Sequence, residues 1–238
     1  CWWRIRLLGD VRPHLAAFYG YFAFAFGLYL LTLWLIKMGT LPFSAPAPIE
    51  KNGDRSIFSR QKNGTVPIFV ILGVAVAARL LMLGTTPTLS DDIYRYRWDG
   101  RVQQAGIDPY RYAPNDPALA PLRDADWDRI NFPHLRTVYP PFTQLAFRLG
   151  VRLHDSLLGQ KLVFAAAELV TVAALLVILL RRGGSPLWVA AYAWHPLAVL
   201  EISGSGHNDA LGIAALWLGL AAWEAGRWSS AAAAWAAA

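Results

Sequence analysis

The chain has 238 residues and a net charge of +6; 55% of its residues are apolar and only 16% are charged. Soluble domains normally contain about 25% charged residues, so this composition excludes an ordinary soluble protein. The positive charge does not indicate a nucleic-acid partner, because residues 85–139 combine eight acids with seven arginines and the excess of cations flanks other apolar blocks.

The apolar residues form blocks long enough to cross a membrane, which predicts an all-α, polytopic helical membrane protein. The predicted spans are residues 15–36, 67–84, 157–180, 186–200 and 210–224. A further apolar stretch, residues 142–153, is short for a span and is expected to form an interfacial or partly inserted helix. The single cysteine, Cys1, excludes an internal disulfide.

The distribution of lysine and arginine predicts which side of the membrane each loop faces. Residues 37–66 contain five of these cations against two acids, so this loop is expected in the cytoplasm. The loop 85–140 and the turn 201–209 then lie on the outer face. We therefore predict an N-terminal part, residues 1–66, with one span and a basic cytoplasmic loop, and a transmembrane core, residues 67–238.

Asp91 and Asp92 stand where the second span is expected to leave the membrane, a costly place to keep charge without a use. One interpretation is structural: Ser90 would cap the following helix, and both carboxylates would stabilise its positive end. The other is catalytic, because a carboxylate can take the proton from an acceptor hydroxyl as it attacks. Adjacent helical residues point about 100° apart, so Asp92 would orient the acceptor, bind a divalent cation such as Mg²⁺ or Mn²⁺, or cap the helix.

The helix that follows is half aromatic and half ionic, which predicts that it lies along the membrane surface. Gly106 is expected to end it with a left-handed cap. Arg95 can reach Asp92 and Asp99 at three- and four-residue spacing. The acid-rich run at residues 123–129 is predicted to be a solvated, self-neutralising face, because it lacks the glycine and length of a calcium-binding loop.

A second polar cluster, His207, Asn208 and Asp209, lies in a glycine-rich turn just before a helix. Asn208 or Asp209 would either cap that helix or, with His207, contact a phosphate or a sugar. Both polar clusters are predicted on the outer face, as an enzyme with a lipid-borne substrate would require.

Three ionisable residues lie within the predicted spans. Arg79 is expected to extend its guanidinium to the membrane surface or, alternatively, to contact a phosphate. Glu168 is expected to face other helices rather than lipid. His195, beside a proline in an apolar block, is predicted to be a packed side chain and not a ligand.

Three segments, SDDIYRYRWDGRVQQAGIDPYRYAP, VYPPF and SGSGHNDALG, resemble the GT-C superfamily of integral membrane glycosyltransferases. Over about residues 79–227 the chain is similar to the bacterial, polyprenyl-phosphate-mannose-dependent, family 87-like α-mannosyltransferases. The resemblance implies that Asp91 and Asp92 are catalytic, that the donor is a polyprenyl-phosphate sugar, and that the anomeric centre inverts on the outer face. Two departures, the span at 15–36 and the end of the chain after the early spans, predict a fragment of a longer enzyme.

We therefore predict a multi-pass cell-membrane glycosyltransferase. It would move a sugar, mannose by resemblance, from polyprenyl phosphate to a lipid-linked or cell-envelope glycan, with Asp91 as general base. The other residues expected to line the site are Tyr94, Arg95, Arg101, Tyr110, Tyr139, His207, Asn208 and Asp209. Two alternatives are a multipass transporter or flippase, which would use Arg79 and Glu168, and a non-catalytic assembly subunit in which the acid pair only caps a helix.

Overall fold

A computed structural model describes residues 1–39 and 68–238. Within these ranges all regular secondary structure is helical, which confirms the predicted class. The helices are α1 (Trp2–Leu7), α2 (Leu15–Lys37), α3 (Ile68–Leu83), α4 (Asp92–Gln104), α5 (Pro141–Leu153), α6 (Leu157–Arg181), α7 (Ala190–Ala193), α8 (Pro196–Ala198), α9 (Asp209–Glu224) and α10 (Trp228–Ala236). Most of the predicted cytoplasmic loop 37–66 lies outside the described residues.

Two of the described helices are long and apolar enough to cross a membrane: the stretch Arg12–Lys37, which contains α2, and α6. α3 is also apolar but has 16 residues, which is about 24 Å of helix. α2 exposes large apolar side chains such as Phe24 and Trp34. A helix with an apolar surface all round is typical of a membrane span. The protein is an all-α membrane protein.

The connections and contacts define two ends of the helix bundle. Lys161, near the start of α6, donates a hydrogen bond to the carbonyl of Thr85, just after α3. The turn that precedes α9 packs against the first turn of α4. At the opposite end Arg182 is bonded to Glu224, the last residue of α9. α3 therefore runs toward the end that holds Thr85, which we name the site end, and α6 and α9 run away from it.

The prediction that residues 186–200 form one continuous span is wrong. The chain instead forms a 3₁₀ turn, Pro186–Val189, then α7, a break at His195, α8 and a π-helix, Val199–Ser205. Pro196 explains the break, because it lacks an N–H group and its ring clashes with the preceding turn. His195 packs edge-to-face against Phe26 and Tyr29 of α2, as expected for a packed side chain.

Arg79 neither reaches the membrane surface nor faces open space, so both interpretations given for it are wrong. It is 1% exposed and binds the Glu168 carboxylate through two nitrogens, at 2.7 and 3.0 Å. Its third nitrogen donates to the carbonyls of Ala75 and Ala193. This bidentate pair joins α3, α6 and α7, and it confirms that Glu168 faces other helices.

α4 is buried within the protein, and its predicted position along the membrane surface stays a prediction. Its residues from Ile93 to Gly100 are all buried, because α5, α6 and the loop after α4 cover it. Gly100 allows the close approach of α5: a Cβ atom there would lie 2.4 Å from the carbonyl oxygen of Phe147. α4 ends at Gln104, Ala105 is its C-cap residue, and Gly106 follows with φ +77°, which confirms the predicted left-handed cap.

α5 is amphipathic and stays at the site end. Phe147 and Val151 are buried against α4 and α6, whereas Leu145 and Leu149 on the other side are exposed. Its 13 residues make about 20 Å of helix, and three residues separate its end from the start of α6 at the site end. The predicted interfacial position of this helix stays a prediction.

The acid-rich run at residues 123–129 is not a self-neutralising face. The buried Arg97 of α4 pairs with Asp124 and Asp126, both at 2.8 Å, and with Asp155 at 2.9 Å. Burial lowers the pKa of Arg97, but the charges of Asp155 and Asp124 outweigh burial and raise it overall. The acids of the loop thus neutralise arginines of α4 and fasten the loop over that helix.

Candidate active site

The site end brings together the two polar segments that the sequence separates by more than 100 residues. A hydroxyl–carbonyl contact of 3.2 Å joins Thr85 to Gly204. A Cβ atom on Gly206 would lie 2.3 Å from Cδ1 of Ile93, so the turn before α9 and the first turn of α4 are in van der Waals contact. Asp91 and Asp92 therefore lie beside the turn that carries His207.

Asp91 is held by a cation. Its Oδ1 accepts a hydrogen bond of 3.0 Å from Nη2 of Arg129, and the guanidinium of Arg129 also lies 4.2 Å from the ring centre of Tyr94. The Asp91 side chain keeps 40% of its surface exposed. Tyr94 itself is buried. The arrangement fixes one carboxylate oxygen of Asp91 and leaves the group open to solvent.

Asp92 is held by an amide. Its Oδ1 accepts a hydrogen bond of 3.1 Å from Nδ2 of Asn131. Its backbone N–H donates to the hydroxyl of Ser90 at 3.2 Å, while Asp91 occupies the N-cap position without a side-chain cap bond. Ser90 therefore supplies an oxygen to the start of α4 from the position before the N-cap, which is Asp91 and not Ser90 as predicted. Neither carboxylate is used as a cap.

A cluster of aromatic rings packs beneath Asp92. Tyr96 lies edge-to-face on Tyr139, with ring centres 5.2 Å apart, and stacks on Phe147 at 4.7 Å. Burial raises the pKa of Tyr96, and the charges of Tyr139, Asp92 and Asp209 raise it further. Both Asp92 and Asp209 are thus close enough to act on the same phenol, which stays neutral. Burial also raises the pKa of Tyr139.

Tyr110, Arg95 and Arg101 have partners inside the outer loop. The hydroxyl of Tyr110 donates to the carbonyl of Tyr139 at 2.7 Å. Arg95 is buried and binds Asp99 at 2.9 Å and the carbonyl of Leu135 at 3.0 Å. Arg101 binds Asp124. Contact of these arginines with a substrate would require that their ion pairs open.

The turn before α9 presents its polar side chains without using them as caps. Asn208 occupies the N-cap position but makes no side-chain cap bond, and Asp209 is the first residue of α9. His207 lies between two acids, with Nε2 3.5 Å from Glu201 and Nδ1 3.8 Å from Asp209. Capping by Asn208 is therefore not realised, and the three side chains remain available at the site end.

A comparison with protein families identifies the family of this chain. The model for the alpha-(1->6)-mannopyranosyltransferase N-terminal domain matches residues 14–238, nearly the whole chain. The chain belongs to this mannosyltransferase family. Searches of curated proteins and of solved structures gave no match. The family match confirms the resemblance to a family 87-like mannosyltransferase.

Two residues that hold the acid pair of this mannosyltransferase domain were missed by the sequence analysis. Arg129 and Asn131 lie 38 and 39 positions from their carboxylate partners. Local spacing carries no signal for such pairs. The one available hint was that Arg129 ends an acid-rich run whose charges were assumed to cancel locally.

A divalent cation on Asp91 and Asp92 remains a prediction. Among residues 1–39 and 68–238 no group of three or more His, Cys, Asp or Glu side chains is arranged to hold a metal ion. Mg²⁺ and Mn²⁺ prefer several oxygen ligands. One oxygen of Asp91 is already bonded to the cation Arg129 and one of Asp92 to the amide of Asn131, so the two carboxylates are a poor donor set for such an ion.

Proposed function

We propose that this domain forms the acid site of an inverting mannosyltransferase that uses a polyprenyl-phosphate mannose donor. The acceptor is a hydroxyl of a lipid-linked or cell-envelope glycan, and the product linkage is the α-1,6 bond in the family's description. The protein crosses the membrane several times, and the site end faces the extracytoplasmic side.

One observation carries this proposal: Asp91 is held at one oxygen by Arg129 and stays open to solvent, beside the turn that carries His207. A general base must be fixed in position and reachable by the acceptor hydroxyl. Asp91 meets both conditions. Asp92, bound to Asn131, orients the acceptor.

The reaction is a single displacement at the anomeric carbon. The acceptor oxygen forms a bond to C1 of mannose while the bond from C1 to the phosphate oxygen breaks. The acceptor proton passes to the carboxylate of Asp91, and the leaving group departs as polyprenyl phosphate. Its negative charge needs a nearby cation. Arg129 is the best candidate, because its guanidinium keeps donors beyond the one bonded to Asp91.

His207, Asn208 and Asp209 are assigned to binding the mannosyl group or the phosphate. Their side chains are polar, lie at the site end and are not used to cap α9. Tyr94 and Tyr139 support the site from beneath. The structural role of Tyr110, Arg95 and Arg101 is to keep the outer loop folded over α4. We assign them this role in preference to direct contact with substrate.

The transporter alternative loses its main support. It depended on Arg79 and Glu168 as free ionisable groups inside spans. These two residues neutralise each other in a buried bidentate pair, which is a structural use.

A donor assay tests the proposed function. Membranes that contain the full-length protein are given labelled polyprenyl-phosphate mannose or labelled GDP-mannose in the absence of other mannosyltransferases. We expect label in the glycan fraction only from the lipid donor. Direct transfer from GDP-mannose would contradict the proposal. A second experiment checks the predicted outer side. It labels a Thr88→Cys variant, in a Cys1→Ser background, with a membrane-impermeant maleimide.

A further inference from the structure

Lys161 is a buried lysine that neither the family match nor the proposed mechanism uses. It lies in the second turn of α6 and is 1% exposed. Within the described ranges it forms no ion pair: its ammonium contacts only Thr85. An ionisable residue inside a membrane span is expensive to keep without a partner of opposite charge, and such residues usually serve function.

The ammonium of Lys161 binds the segment that leads to the acid pair. Nζ donates to the carbonyl oxygen of Thr85 at 2.5 Å and lies 3.2 Å from its hydroxyl oxygen. Thr85 lies two residues beyond Leu83, the last residue of α3, and the C-terminal end of a helix carries partial negative charge. Lys161 therefore places a cation near the end of the helix that leads to Asp91.

Thr85 also contacts the segment before α9. Its hydroxyl oxygen lies 3.2 Å from the carbonyl of Gly204 and 2.7 Å from that of Met82. A hydroxyl has one proton and can accept from Lys161 while donating to one of these carbonyls. Lys161, Thr85 and Gly204, which we name the lysine junction, join α6, the end of α3 and the π-helix.

Gly206 fits tightly against the same lysine. It has φ +80°, and a Cβ atom there would lie 3.3 Å from Cγ of Lys161 and 2.3 Å from Cδ1 of Ile93. Ile93 follows Asp92 in the chain, and His207 follows Gly206. The stem of Lys161 thus packs beneath the point where the two polar segments of the site meet.

We propose that Lys161 is a positioning residue for mannosyl transfer. Through the lysine junction it fixes the Asp91–Asp92 pair relative to the His207–Asp209 turn. The inference rests on the proposed function and extends it to a residue that does not touch the substrate. A displacement of about 1 Å in such a constellation can cost about 100-fold in rate.

Lys161→Met tests this role in the full-length protein. Methionine keeps the length and apolar stem of lysine but removes the charge. We expect kcat for transfer from polyprenyl-phosphate mannose to fall about 10- to 100-fold. The thermal midpoint should be no lower than that of the parent, because the variant no longer buries a cation without a carboxylate partner. A kcat within twofold of the parent, or a loss of kcat that is matched by a lower thermal midpoint, would overturn the inference.

Thr85→Val supplies a second, independent variant. Valine removes the hydroxyl bridge to Gly204 but keeps the carbonyl that Lys161 binds. We expect a smaller loss of kcat, and no further loss in the Lys161→Met/Thr85→Val double variant, because both changes open one junction. If the losses of kcat from the two changes multiply, the two residues act independently, which would contradict their action through one junction.

The control is Thr171→Val, a buried polar residue on the same helix. Its hydroxyl donates to the carbonyl of Ala167 within α6, and it lies ten residues, about 15 Å, beyond Lys161. We expect a parental kcat. Asp91→Asn assayed in parallel separates the two proposals: an active Asp91→Asn protein refutes the proposed function, whereas an inactive Asp91→Asn protein beside a fully active Lys161→Met protein refutes only the positioning role.

Discussion

The guanidinium of Arg129 donates a hydrogen bond of 3.0 Å to the carboxylate of Asp91. This contact joins the middle of the outer loop to the start of α4. It explains why the loop after α4 belongs to the site, although its composition is typical of an ordinary solvated connection. The same guanidinium rests on the ring of Tyr94, so its position is fixed from two sides.

Arg129→Gln should lower kcat about 10- to 100-fold, since a hydrogen bond to a charged group contributes about 1.5–3 kcal/mol and each 1.4 kcal/mol is about tenfold in rate. Initial rates with polyprenyl-phosphate mannose measure this loss. Arg123→Gln is the matched control. Arg123 lies in the same loop but binds the carbonyl of Asn115 and stacks on Trp127. Equal rates for the two variants would contradict the role of Arg129.

Gly206→Ala should reduce both stability and activity. The left-handed backbone costs a non-glycine residue about 1–2 kcal/mol, and the added Cβ atom would press on Ile93. Gly226→Ala is the matched control. Gly226 also has positive φ, +71°, but a Cβ atom there would meet nothing within 4 Å. We expect similar losses of thermal midpoint from backbone strain, an additional loss for Gly206→Ala, and loss of mannosyl transfer only for Gly206→Ala.

Glu168→Gln should be strongly destabilising, because removal of one partner leaves Arg79 as an uncompensated buried charge at a cost of about 3–5 kcal/mol. The double variant Arg79→Met/Glu168→Leu should recover most of this loss. At the opposite end of the bundle, Glu224→Gln breaks the exposed pair with Arg182, which should cost less than about 1 kcal/mol. Denaturation midpoints of the purified protein test this order. A double variant less stable than Glu168→Gln would contradict the account.

The lowered pKa of Asp124 predicts that the stability of the outer loop depends on pH. Burial raises the pKa of Asp124, but hydrogen bonding and charge from Arg97, with the charge of Arg101, outweigh burial and lower it below 3.8. A lowered folded-state pKa stabilises the protein above the unfolded-state pKa, and this stabilisation is lost as pH falls through the folded-state value. The stability difference between the parent and Asp124→Asn should therefore be constant near neutral pH and shrink below about pH 4. A difference that grows with acidification would contradict this sign.

The spans at residues 15–36 and 157–180 were predictable to within a residue, because the length of an apolar run is a local property. The broken segment at residues 186–200 was not. Its composition is that of a span, but the break at His195 and the π-helix that follows α8 fit the contacts of Val199 and Leu200 with α3 and α1. Hydropathy alone gives no account of such contacts.

The sequence also indicated the acid pair as a candidate, since adjacent carboxylates at the end of a span are rare and expensive, and its catalytic role stays a prediction. Its partners were not, because Arg129 and Asn131 become neighbours of Asp91 and Asp92 only after the loop folds back over α4. The same folding buries Tyr94 and Arg95, which the sequence analysis expected to line the site. Arg79 was misjudged for a related reason: its partner Glu168 is 89 positions away.

Catalysis by Asp91 is tested by the rate of mannosyl transfer of the full-length Asp91→Asn protein, with Asp108→Asn as control. Asp108 lies in the same outer loop, where it accepts a hydrogen bond from the backbone of Tyr110. We predict that Asp91→Asn loses about 10²–10⁴ in rate with unchanged expression and folding, as expected for loss of a general base, while Asp108→Asn stays near the parental rate. Normal transfer by Asp91→Asn would contradict its role as general base, and normal transfer by Asp92→Asn as well would contradict any catalysis by this acid pair.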